Sequence, residues 1–183
     1  MIPDESTDLP GGQSTVADTL APGDPLGNHV VTRRIGQGGM GVVYEAVDPL
    51  LQRSVAVKVL RSAVADNEKG SEQFLAEARS AARLHHPNVV TILVIDRHDT
   101  SYVLVMELMS GGSAQDRLRA NGPFSWVEAT RLAADACRGL VAAHAAGLLH
   151  LDVKPANVLL GPAGVAKLAD FGLARLTTPP SAV

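Results

Sequence analysis

Gly36-Gln37-Gly38-Gly39-Met40-Gly41-Val42-Val43-Tyr44-Glu45-Ala46-Val47 is the stretch on which the fold turns. Its first half matches G-x-G-x-x-G, a weak pattern by itself because glycine clusters commonly make turns and nothing more. The second half says which kind of loop it is. A dinucleotide-binding turn opens into a helix, whereas Val42 to Val47 is β-branched and alternating, which predicts a strand. No G-x-x-x-x-G-K-S/T occurs, which excludes a Walker-type phosphate loop. What remains is a glycine hairpin between two strands, whose backbone N–H groups can lie over phosphates with no side chains in the way.

Working outward, period-2 patterning predicts strands at Val30 to Ile35, Val42 to Val47 and Ser54 to Leu60, with turns at the glycines and at Asp48-Pro49. Between Glu72 and Leu84 the spacing becomes helical, with Phe74, Leu75, Ala78, Ala81, Ala82 and Leu84 on one face. His85-His86-Pro87-Asn88 ends that helix, because the residue before a proline is pushed out of the α region. Two further strands follow near Val89 to Asp96 and Tyr102 to Glu107, for five strands and one helix in a small lobe. Beyond Gly111-Gly112 the chain turns helical, from Ser113 to Ala120 and from Ser125 to about Ala146. Ser125-Trp126-Val127-Glu128 fits a capping box at the second start, and Gly147 closes that helix. A strand pair joined by Gly161-Pro162-Ala163-Gly164 spans Val158 to Leu168.

Composition sets the bounds. The 183 residues are 46% hydrophobic and 19% charged with mean hydropathy +0.12, enough apolar material for a core and too polar for a membrane bundle. Lys+Arg 16 against Asp+Glu 19 gives a net charge of −3, which argues against a nucleic-acid binder attracted by charge. Residues 1–27 carry five acids (Asp4, Glu5, Asp8, Asp18, Asp24), no Lys or Arg, and repeated Pro, Gly, Ser and Thr, and read as a disordered acidic tail. The single cysteine, Cys137, excludes an intramolecular disulfide and a Cys-rich metal site and suits a reduced, cytoplasmic setting. Neither a secretory signal nor an apolar run of membrane-spanning length is present.

Three further places carry candidate chemistry. Val55-Ala56-Val57-Lys58 puts one lysine on an otherwise apolar strand, where a buried ammonium needs a partner. Glu77 on the predicted helix is the natural one; the plainer alternative is a lysine that reaches water along its stem. His150-Leu151-Asp152-Val153-Lys154-Pro155-Ala156-Asn157 and Asp170-Phe171-Gly172 bracket the predicted strand pair, so Asp152, Asn157 and Asp170 can converge at one end of it. Two carboxylates and an amide oxygen are the hard ligands and the proton acceptor that magnesium-phosphate chemistry needs, although each alone reads as a turn former.

In sequence order these motifs resemble the eukaryotic-type (Hanks-type) protein kinase family, and the wording G-Q-G-G-M-G-V-V-Y is most similar to its bacterial serine/threonine members. The resemblance covers roughly residues 28–176. It implies an α+β, two-lobe fold: a five-stranded antiparallel N-lobe with one helix over 28–109, and a partial helical C-lobe with the catalytic loop and D-F-G over 110–176. The acidic tail precedes it and a short tail, 177–183, follows.

The resemblance implies ATP and Mg²⁺ as cofactors and protein serine or threonine as acceptor. Asp152 then accepts the substrate hydroxyl proton, Lys154 neutralises charge on the transferred phosphoryl, and Asn157 and Asp170 hold the metal. Gly36, Gly38 and Gly41 cover the phosphates, and Lys58, paired with Glu77, contacts the α- and β-phosphates. Ile35, Val43, Ala56 and Leu159 sandwich the adenine, Met106 stands at the gatekeeper position, and the backbone from Glu107 to Met109 reads the adenine edge. A protein substrate and a kinase homodimer are the partners it allows, with neither nucleic acid nor membrane.

Two departures stand out. Leu151 replaces the arginine that most members use to pair with a phosphorylated activation loop. The sequence also ends at Val183, eleven residues after Gly172, before the A-P-E motif and the later large-lobe helices, so the helix from Ser125 is expected to present an uncovered apolar face. The rival reading is a non-catalytic kinase-fold module that binds ATP or a partner; a small-molecule kinase fits Lys154-Pro155 less well.

Overall fold

The computed structural model describes residues 20–39, 41–60, 75–76, 78–98 and 101–171. Strands β1 (Pro25–Leu26), β2 (His29–Gly38), β3 (Gly41–Asp48), β4 (Arg53–Leu60), β5 (Ile92–His98) and β6 (Ser101–Glu107) form one sheet in the order β1-β2-β3-β4-β6-β5. Every pairing in it is antiparallel. Helical residues at 75–76 and 78–82 make α1, followed by α2 (Ala114–Asn121), α3 (Trp126–Ala145) and a two-stranded ribbon of β7 (Val158–Leu160) and β8 (Ala166–Leu168).

Alternation decides which side of the sheet each residue faces. Val55, Val57 and Val59 of β4 join Val31, Val42, Tyr44 and Val105 in one core, while Ala56 and Leu60 face a second core with Ala78, Leu104, Met106 and Met109. Lys58 falls on the second side. A third core joins Ala81 of α1, Ala143 of α3 and Ala166, Leu168 and Phe171 beneath the sheet.

The β7–β8 ribbon is fastened to the upper sheet through residues 88–90. Val90 N–H donates to Leu168 O (2.8 Å), Leu168 N–H to Asn88 O (2.9 Å), and Asn88 Nδ2 to Ala166 O (2.9 Å). Buried Asp135 of α3 accepts from Ala166 N–H at 3.0 Å and pairs with Arg138. Gly139 lets α3 come this close, because a Cβ there would stand 2.5 Å from Asn88 O.

The expected capping box is present: Ser125 N–H donates to Glu128 Oε2 (3.0 Å) and Glu128 N–H to Ser125 Oγ (3.3 Å). Ser113 and Asp116 make a second one, unread in the sequence. At the other end of α3, Gly147 takes φ +75° and Leu148 N–H returns to Ala143 O at 2.9 Å. Val141 of α3, and Leu149 and Val153 beyond it, are exposed.

The sheet departs from expectation at its edges. It has six strands, not five, because Leu26, assigned to the acidic tail, is buried and β1 pairs with β2. A two-residue strand amid Pro and Gly leaves no period to read. Val89 and Val90 pair with β8 instead of opening a strand, and β5 starts at Ile92. Residues 20–27, expected to be disordered, are instead held to the sheet by Gly23 N–H on Val31 O (2.8 Å) and Val31 N–H on Asp24 O (3.0 Å), while residues 1–19, the start of the first helix, Glu77, Gly172 and the 177–183 tail lie outside the described residues. No helix among the described residues is long and apolar enough to cross a membrane.

Candidate active site

The glycine hairpin folds as a strand-to-strand connection in which Gly36 faces Val43 and Gly38 pairs with Gly41. Its glycines do different jobs. A Cβ on Gly41 would lie 2.1 Å from Val59 O, so that position must be glycine for β3 to lie against β4. Among the described residues a Cβ on Gly38 would meet nothing within 4 Å, and one on Gly36 only the Val43 side chain at 3.7 Å. The described part of the sheet demands glycine at neither position.

Below the hairpin, Ala56, Met106 and Met109 sit in one apolar cluster with Val43 and Leu159 packed against it. Four of the five side chains expected around an adenine, Val43, Ala56, Met106 and Leu159, are therefore together, whereas Ile35 is 39% exposed. Behind Met106 lies a space of about 20 Å³ lined by Leu104, Ala169, Asp170 and Phe171, large enough for a water and too small for a base.

Lys58 is the buried lysine of the lobe, and Asp170 Oδ1 is 2.7 Å from its Nζ. The expected partner, Glu77, is outside the described residues. Asp170 itself adopts φ +62°, a left-handed conformation that a non-glycine residue holds only when its surroundings enforce it. Those surroundings are named contacts: Ala169 N–H donates to Asn157 O (2.9 Å), and Phe171 packs its ring on His150 at 4.7 Å between centroids.

His150 organises the loop from beneath. Only 1% exposed, its Nε2 bonds Ala169 O (2.9 Å) while its Nδ1 accepts from Asp152 N–H (3.3 Å), which makes Nε2 the protonated nitrogen. The ring thus spans the two segments that carry Asp152 and Asp170. Its role was not read from the motif, where the signal was a histidine fixed beside an aspartate. Leu151, at φ +60° and 58% exposed, is the residue the loop turns outward.

Asn157 is the second bridge. Its Nδ2 donates to Asp152 O (2.8 Å) and to Asp152 Oδ2 (3.0 Å), while its own carbonyl takes the Ala169 N–H. Lys154 Nζ lies 2.7 Å from Asp152 Oδ2. That ammonium, against some desolvation and with the Asn157 amide assisting, holds the Asp152 carboxyl below the ordinary aspartate range. Asp152 is thereby held in its ionised form.

Among the described residues both bonds of the Asn157 amide use nitrogen and Lys58 takes only Oδ1 of Asp170, which leaves an amide oxygen and a carboxylate oxygen as candidate cation donors. Among the described residues no cluster of three His, Cys, Asp or Glu side chains forms a complete cage. Two hard oxygen donors with the remaining positions left to phosphate and water suit a divalent cation.

Glu107 ends β6 at the back of the cleft. Lys167 Nζ contacts both its carboxylate oxygens (2.7 and 2.8 Å), and Thr91 N–H donates to Oε1 (2.7 Å). Burial opposes the charge, but these donors outweigh it and hold the carboxyl below the ordinary glutamate range.

Comparison with known proteins agrees with this geometry. The family described as "Protein kinase domain" matches residues 29–183. Serine/threonine-protein kinase PknA of Mycobacterium tuberculosis is 42% identical over 160 residues, 81% of this chain and 36% of that protein. Serine/threonine-protein kinase PrkC of Bacillus subtilis is 38% identical over 148 residues, 81% of this chain and 23% of that protein. The chain therefore spans about a third or less of these relatives. The crystal structure of the Mycobacterium tuberculosis PknI kinase domain superposes with a TM-score of 0.73 at 32% identity, covering 85% of this chain and 64% of that one.

Proposed function

Since the chain belongs to the protein kinase family, we propose that it binds Mg-ATP in the cleft between sheet and ribbon and transfers the γ-phosphate to serine or threonine hydroxyls of a protein. The observation that carries this reading is Asn157, which ties Asp152 to the residue preceding Asp170 and so puts the proton acceptor beside the cation donors. Relatives named serine/threonine-protein kinases support the choice of acceptor, as does Lys154. The need for ATP assigns the domain to the cytoplasm.

The residues divide the reaction between them. Ile35, Val43, Ala56, Met106 and Leu159 take the adenine, the backbone from Glu107 to Met109 meets its polar edge, and Gly36, Gly38 and Gly41 lie over the phosphates. Lys58 takes the α- and β-phosphates. Asp170 and Asn157 would hold Mg²⁺, which would supply positive charge to offset that of the phosphates. Asp152 orients the incoming hydroxyl and accepts its proton as the new O–P bond forms and the β–γ bridge breaks, while Lys154 offsets charge on the phosphoryl in flight.

The test is intact-mass detection of phosphate added to the chain and to a generic protein substrate with Mg-ATP, with Asp152→Asn as the blank. Mass gained by the unsubstituted chain alone supports transfer. A folded chain that gains none refutes it.

A further inference from the structure

Lys167 is absorbed by no step above. It occupies the middle of β8, and its neighbours Ala166 and Leu168 are fully buried below, so it points to the opposite face. Its register partner across the ribbon is Leu159, and residues directly opposite in an antiparallel pair share a face. Lys167 and the adenine-floor residue therefore rise together toward the end of β6.

There Lys167 grips Glu107 by both carboxylate oxygens, across 60 residues of sequence. The pair is neither loose nor solvent-bathed: the lysine side chain is 20% exposed and the glutamate 29%. A third donor, Thr91 N–H, fixes Oε1, and Glu107 N–H returns to Thr91 O at 3.1 Å. Glu107 is thus pinned from the ribbon by Lys167 and from the sheet by Thr91. A long lysine ordered on both oxygens gives up considerable rotamer freedom, a cost that an idle surface charge does not bear.

We infer that Lys167 is a positioning residue for nucleotide recognition: through Glu107 it sets the height of the 107–109 backbone above Leu159, and so the width of the slot that receives the adenine. The inference rests on the nucleotide-site reading above. It differs from a purely structural role in where the energy appears. The phosphates are met by Lys58, the glycine hairpin and the cation site, none of which Lys167 touches among its described contacts. Loss of Lys167 must therefore weaken the base and spare the phosphates.

The experiment measures Kd by titration calorimetry on the full 183-residue chain with three probes: Mg-ATP, adenosine, and Mg-tripolyphosphate. Each protein is held well below its own thermal midpoint. Lys167→Met is expected to weaken adenosine and Mg-ATP by about fivefold or more, the order expected when one half-buried charge-assisted contact is lost, with tripolyphosphate unchanged. Glu107→Gln, which keeps an acceptor for Thr91, is expected to give the same pattern, and Lys167→Arg to recover most of the loss. Adenosine bound equally by Lys167→Met and the unsubstituted chain overturns the inference. So does a parallel loss of all three probes, which would mark a general effect on folding. An unsubstituted chain that binds no Mg-ATP removes the nucleotide-site reading itself and the inference with it, a result distinct from the other two.

Discussion

Lys58 and Asp170 meet at 2.7 Å with unequal burial, the lysine side chain 5% exposed and the aspartate 33%. The lysine is thus the dependent partner. Taking it out of water is tolerable only while a counter-charge stands beside it, whereas Asp170 keeps enough contact with solvent to change partners when a cation arrives.

That asymmetry predicts unequal effects on stability. Asp170→Ala strips Lys58 of its described partner and is expected to destabilise by about 1–3 kcal/mol, less than a fully buried pair because Asp170 is a third exposed. Lys58→Met removes the buried charge itself and is expected to cost less. Urea unfolding of both variants decides, and the reverse order would contradict the assignment. Both are expected to lose Mg-ATP binding.

The proton acceptor has its own signature. Asp152→Asn is expected to bind Mg-ATP normally and transfer no phosphate, in contrast with Asp170→Ala. Because Lys154 lowers the Asp152 pKa, the ionised form persists below the ordinary aspartate range, and the acid limb of the kcat profile is expected below it as well. Lys154→Met raises the Asp152 pKa and moves that limb to higher pH. A limb that stays in place would remove Asp152 as the titrating base.

The hairpin glycines separate fold from ligand. Gly41→Ala drives a Cβ toward Val59 O and is expected to cost about 1–3 kcal/mol of stability. Gly38→Ala, with open space around it, is expected to leave the unfolding midpoint nearly unchanged and to weaken Mg-ATP. Calorimetric unfolding and nucleotide titration on the same two variants check both halves.

Glu107 supplies a pH dependence of stability. Its folded pKa lies below the ordinary glutamate value, so the unfolded chain takes up the proton first as pH falls. The contribution of the Lys167 clamp is present above the unfolded pKa and is lost as pH drops through the folded one. Lys167→Met is expected to flatten the stability curve between neutral pH and the carboxylate range, read from unfolding midpoints at several pH values.

Much of this arrangement was legible in the chain. The apolar run Val55-Ala56-Val57-Lys58 marks a strand lysine that needs a partner, and Lys58 is buried and paired; the S-x-x-E spacing at Ser125 located a helix start that the capping bonds reproduce. What escaped were features made by chain segments distant in sequence. Nothing local in Asn88 or Asp135 announces that both bond Ala166, because the bonds exist only once α3 has docked on β8. Nothing local marks Lys167, whose partner at the end of β6 is 60 residues away in the chain, and Leu26 had too short a strand to show a period.

The division of labour within the glycine run bears on how diverged copies of this domain should be read. A descendant freed from binding nucleotide, yet still required to fold, can replace Gly38 at little cost but must keep Gly41, because β4 occupies the space its side chain would need. Survival of Gly41 in such a lineage therefore testifies to an intact sheet and carries no information about activity. On the proposed function, Gly38 is the position whose loss would date the abandonment of the ligand.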